Sequence, residues 1–150
     1  MIFILEGPDG AGKSTLAKTL NYQTGYKLIH NSAPQSEEEQ ELMYGMYLQA
    51  IKSSKNIIFD RAWYSEMVYG PLLRNKSFIS WPQMFTLEKQ IVSQGGLIIY
   101  CTAPKATLWK RCQDKNDPLI KTRELLNKVY DGFEEIMSSL HHIPVLRYGT

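Results

Sequence analysis

At 150 residues the chain can bury one core and has no room for a second domain. Seventeen basic against fifteen acidic residues leave a net charge of +2, which selects no partner and shows no basic strip for nucleic acid. Two cysteines imply no disulfide framework, and no apolar run approaches the ~20 residues that cross a bilayer. The short apolar start lacks the pattern of a secretory signal, so a cytoplasmic location is expected.

The first apolar run, 2–5, leads straight into Gly7, Pro8, Asp9, Gly10, Ala11, Gly12, Lys13 and Ser14, which fill the pattern G-x-x-x-x-G-K-[ST] at every fixed position. Leu16, Ala17 and Leu20 then continue at helical spacing over 13–21. A buried strand, a glycine turn and a helix start are the setting of a phosphate-binding loop. Glycines let backbone N–H groups converge on phosphate oxygens, Lys13 reaches the outer phosphates, and the Ser14 hydroxyl is placed for Mg²⁺.

Further apolar runs at 26–30, 56–60, 97–101 and 143–147 alternate with helical patterns at 36–53, 62–74, 82–94, 104–113 and 120–140. This alternation predicts an α/β fold with a parallel sheet flanked by helices. Right-handed crossovers would gather ligands at the carboxyl ends of the strands. Ser36 and Glu39 have the spacing of a capping box, which gives the acids at 37–41 a structural explanation. In the same helix Tyr44 and Tyr47 stand in an apolar stripe whose default is core, with reach to a ligand as the alternative.

The third strand ends in Asp60-Arg61, followed by Trp63, Tyr64, Ser65 and Tyr69. Asp60 as a helix cap beside an exposed Arg61 is one account. The phosphate loop favours another, because this strand end should lie at the switch point of the sheet. A guanidinium grips an acceptor phosphate with two parallel hydrogen bonds, and Asp60 could hold a metal-bound water or accept a hydroxyl proton. Trp63, Tyr64 and Tyr69 are aromatic candidates for stacking on a substrate, or equally for helix packing.

The loop after Leu5-Glu6, together with Asp60-Arg61-x-x-x-Ser65-x-x-Val68-Tyr69, resembles thymidylate kinase and its deoxynucleotide-kinase relatives. The resemblance implies a three-layer P-loop NTPase fold with a five-stranded sheet of order 2-3-1-4-5. It implies that Lys13, Ser14 and Thr15 bind ATP and Mg²⁺, that Asp9 lies beside the acceptor, that Arg61 holds the acceptor phosphate and that Asp60 stands near the metal. Two departures are visible. Ala62 occupies a position that is commonly aromatic or histidine, and 31–55 is much shorter than the usual acceptor-binding region.

Arg111 ends the helix that Pro104 begins, and it leads into a polar loop like the lid of small-molecule kinases, with 111–122 as the lid. Lys115, Lys121 and Arg123 read as solvated. His141 and His142 are expected to end the last helix, whose Glu124, Asp131, Glu134 and Glu135 face solvent. The expectation is a single kinase domain over 1–150, transferring phosphate from ATP with Mg²⁺ to a deoxynucleoside monophosphate such as dTMP. The alternatives are a nucleoside or other small-hydroxyl kinase, a polynucleotide or modified-base kinase, and a nucleotide-dependent switch. The expected partners are small nucleotides, with no membrane and no nucleic acid, and the apolar surface of 43–51 and 63–73 would permit a homodimer.

Overall fold

The computed structural model describes residues 1–150 as five parallel strands and six helices. In chain order they are β1 (Ile2–Glu6), α1 (Lys13–Thr24), β2 (Lys27–His30), α2 (Glu37–Lys52), β3 (Ile57–Asp60) and α3 (Trp63–Arg74). There follow α4 (Trp81–Val92), β4 (Gly96–Thr102), α5 (Lys105–Asp114), α6 (Arg123–Met137) and β5 (Val145–Gly149). The sheet order is β2-β3-β1-β4-β5, as the resemblance implies. Chain connections leave β1 in opposite directions on its two sides, which opens a crevice at its carboxyl end.

The apolar runs are continuous in the middle of the sheet because both faces there are covered. Every residue of β3 is buried, as are Ile2, Ile4, Leu5 and Glu6 of β1, whereas the edge strands β2 and β5 are largely open. The register aligns His30 of β2 with Asp60 of β3, and Asp60 with Leu5 of β1. Three strands thus deliver Glu6, Asp60, Arg61 and His30 to one rim. No helix is long and apolar enough to cross a membrane.

Several local expectations are revised. Ser36 caps α2 by accepting from Glu39 N–H, but the Glu39 carboxylate takes the N–H of Gln35 rather than closing the box on Ser36. The complete capping box belongs to α4, between Ser80 and Gln83. Helix α6 stops at Met137, so the histidines lie beyond it in the turn leading to β5. There His141 Nδ1 meets the fully buried Glu88 at 2.7 Å, Tyr64 donates to the same carboxylate at 2.6 Å, and His142 N–H donates to its other oxygen. His141 Nε2 lies 2.8 Å from the Ile136 carbonyl. Burial opposes a charge on His141, while its bonds to Glu88 and Ile136 raise its pKa, and these contacts join α4 to the end of α6. Glu134 is not free in solvent either. It takes the Tyr100 hydroxyl and pairs with Arg147.

Candidate active site

The loop between β1 and α1 is shaped by glycine where no other residue fits. Gly7 has φ of 148°, and a Cβ there would lie 2.0 Å from the carbonyl oxygen of Cys101. Gly10 and Gly12 also take positive φ, turning successive peptides into the cradle that opens at Lys13, the first residue of α1. Lys13 is buried, and its ammonium donates to the carbonyls of Gly7 at 2.7 Å and Pro8 at 2.8 Å. Burial lowers its pKa to about 8, with the Arg61 charge pushing the same way and Asp9 and Glu6 opposing. Thr15 follows on the exposed first turn of α1.

Ser14 Oγ donates to Asp60 Oδ2 at 2.9 Å, and His30 Nδ1 lies 2.8 Å from the same oxygen. Asp60 cannot donate as a carboxylate, so the His30 nitrogen carries the proton in that contact. A hydroxyl and a carboxylate side by side at the start of α1 are the hard oxygen donors that suit Mg²⁺, which keeps several of its waters. Ser14 and Asp60 are therefore the residues that would hold it.

Arg61 adopts a left-handed backbone conformation, φ 67°, that turns its side chain back across the loop. Its Nη2 donates to Asp9 Oδ1 at 2.6 Å, its Nη1 to Ser65 Oγ at 3.3 Å, and its guanidinium lies 5.5 Å from the Tyr69 ring centre. Burial opposes the charge on Arg61, while Tyr69, Asp9 and Glu6 more than offset it, so Arg61 stays protonated. Tyr69 OH donates to the second Asp9 oxygen at 2.7 Å. With both oxygens occupied, Asp9 positions Arg61 and is not a free base.

Glu6, at the end of β1, was not among the residues singled out from sequence. Its fully buried carboxylate accepts from Ser65 N–H at 2.5 Å and from Ser65 Oγ at 2.7 Å. Ala62, the residue preceding α3, has no side chain to cap that helix, and Glu6 supplies the missing acceptor from another strand. Burial raises its pKa to about 7, against Ser65, Arg61 and Lys13, which lower it.

Beside this cluster lies a cavity of about 210 Å³. Arg61, Ser65 and His30 give it a polar lining, Met43, Tyr47 and Leu73 give apolar walls, and Leu119 of the loop 115–122 contributes as well. Tyr47 therefore lines this cavity, and so does Tyr69. Trp63 and Tyr64 do not. Both are fully buried against Phe59, Tyr47 and Glu88, because α3 is apolar around most of its circumference and spacing alone could not separate its faces. The lid expectation also changes at its start. Positions 111–114 belong to α5, and Arg111 bonds the Gly10 carbonyl at 3.0 Å and the Thr150 hydroxyl at 2.9 Å, bracing the back of the loop.

Residues 1–120 match the family described as polyphosphate kinase 2. The chain belongs to the polyphosphate kinase 2 family. This member is 25% identical over 138 residues to the SPbeta prophage-derived uncharacterized protein YorR of Bacillus subtilis (strain 168), covering 92% of this chain and 82% of that protein. The crystal structure of YorR in complex with phosphorylated GDP superimposes with a TM-score of 0.84 at 24% identity, over 99% of this chain and 85% of YorR. Deoxyadenosine kinase from M. mycoides with bound dCTP gives a TM-score of 0.63 at 19% identity, over 99% and 90% of the two chains. Family, loop and fold agree on a P-loop kinase-type phosphotransferase.

Proposed function

We propose that this polyphosphate kinase 2 family member transfers the γ-phosphoryl group of ATP to a nucleoside monophosphate seated in the cavity beside α3. The observation that carries the reading is the position of Arg61. It bonds Asp9 of the phosphate loop and lines the acceptor cavity, so a single guanidinium touches both halves of a two-substrate site.

The division of labour follows from the contacts. Gly7–Thr15 cradle the donor phosphates, with Lys13 exchanging its two carbonyl partners for phosphate oxygens. Ser14 and Asp60 would hold Mg²⁺, which neutralises charge on the transferring group. Asp9 and Tyr69 fix Arg61 so that its remaining donors grip the acceptor phosphate. Arg111 holds the Gly10 carbonyl and steadies the loop from outside. A deoxynucleotide acceptor, thymidylate or otherwise, is supported by the Asp60-Arg61-x-x-x-Ser65 pattern. A guanine nucleotide is supported by what YorR carries in its crystal structure.

The family match favours a second reading, with inorganic polyphosphate replacing ATP as donor. One panel separates these. The protein is incubated with Mg²⁺, either ATP or polyphosphate, and nucleosides, nucleoside monophosphates, nucleoside diphosphates or 5′-hydroxyl oligonucleotides. Transfer from ATP confined to monophosphates, and abolished by Lys13→Ala, is expected. Transfer only to nucleosides, diphosphates or DNA overturns the acceptor assignment, and no transfer from either donor favours a nucleotide-dependent switch.

A further inference from the structure

The acceptor cavity has a second polar element besides the rim around Arg61. Glu66, in the first turn of α3, lines the same cavity with Arg74. Arg74 closes α3 and folds back eight positions to pair with Glu66. The Glu66 side chain is only 3% exposed and its other oxygen accepts the N–H of Phe78. Each oxygen of Glu66 thus already accepts a hydrogen bond from the protein, and the carboxylate fixes the guanidinium of Arg74. The Arg74 side chain, 18% exposed, spends Nη2 on Glu66 and keeps its Nη1 donors free of any protein acceptor. Walls of Met43, Tyr47 and Leu73 suit a flat ring, and the unpaired Nη1 of Arg74 beside them offers hydrogens to it.

We propose that Arg74, held by Glu66, reads the base of the acceptor and selects guanine over adenine. The inference rests on the monophosphate acceptor reading above. Guanine presents two adjacent acceptors, O6 and N7, to a guanidinium, whereas adenine replaces O6 with an amino group whose hydrogens oppose those of arginine. A pyrimidine offers a single carbonyl or a smaller face in the same slot. Discrimination on the order of 10–100-fold between the two purines follows from one such contact.

The test compares kcat/KM for dGMP, dAMP, dTMP and dCMP, together with calorimetric binding of dGMP and dAMP without ATP. The wild-type protein should favour dGMP over dAMP by 10-fold or more, in both turnover and binding. In Arg74→Gln the ratio should fall to within about threefold through loss on the guanine side, and in Glu66→Gln it should fall part of the way. Because Arg74→Gln strands a buried carboxylate, the Glu66→Gln/Arg74→Gln double variant, checked by thermal melting, supplies the same comparison without that charge. Equal use of the purines, a preference for adenine or a pyrimidine, or a ratio that survives in the folded double variant overturns the proposal. Absence of transfer with a guanine preference retained in binding overturns the kinase reading and leaves the base assignment standing.

Discussion

Replacing Glu6 with glutamine alters one proton and almost nothing in shape, and the consequence for stability can be worked out. In the folded protein burial holds the Glu6 pKa at about 7, against an ordinary value of 4.5 that the unfolded chain regains. Between those values the native state keeps a proton that the unfolded state has released. The sign is therefore fixed: this contribution is full below about pH 4.5 and is lost as pH rises to about 7. At ~1.4 kcal/mol per tenfold change in proton concentration, the gap amounts to roughly 3 kcal/mol. Glutamine can still accept the Ser65 N–H and can donate to Ser65 Oγ once that hydroxyl turns. Urea unfolding of wild-type and Glu6→Gln proteins near pH 4.5 and near pH 8 isolates the term, since other carboxylates cancel in the difference. The variant should gain about 3 kcal/mol relative to wild type between the two conditions. A difference that stays constant within ~0.5 kcal/mol refutes the buried-proton argument.

Three other substitutions test the frame and the clamp. Gly7→Ala forces a methyl group to 2.0 Å from the Cys101 carbonyl and should cost more than about 3 kcal/mol or prevent folding. Gly45→Ala, in open space on α2, should instead gain about 0.5–1 kcal/mol, and chemical denaturation reads both. Arg61→Ala should raise the acceptor KM at least tenfold while equilibrium binding of ATP survives, and unchanged acceptor kinetics would remove Arg61 from the acceptor site.

The frame was legible because its signals are local. A strand buried on both faces is a short apolar run, and the loop pattern fixes four of eight consecutive positions. Asp60-Arg61 could be found because charges at the end of such a run have no place in the core. What escaped depended on packing. Arg74 has the place of any basic residue in the last turn of a helix, and its reach back to Glu66 is written in no spacing rule. Glu6 caps a helix that starts more than fifty residues later, and His30 gains its partner only through the β2–β3 register. For Trp63 and Tyr64 the packing alternative holds: both are fully buried, Trp63 against Tyr47 and Phe59 and Tyr64 on Glu88. Acid at the strand ends, as at Glu6, is the pattern that could have found more.

The backbone at Arg61 has a consequence for how this protein can change. A side chain other than glycine at φ 67° carries local strain of roughly 1 kcal/mol, a conformation that glycine or asparagine would accept more readily. The residue best suited to the turn is thus not the residue best suited to phosphate. On the acceptor role proposed for Arg61, a lineage released from catalysis would drift toward glycine at position 61 and become sturdier as it lost that clamp. A chain that keeps arginine there holds a less comfortable turn for the sake of the proposed chemistry.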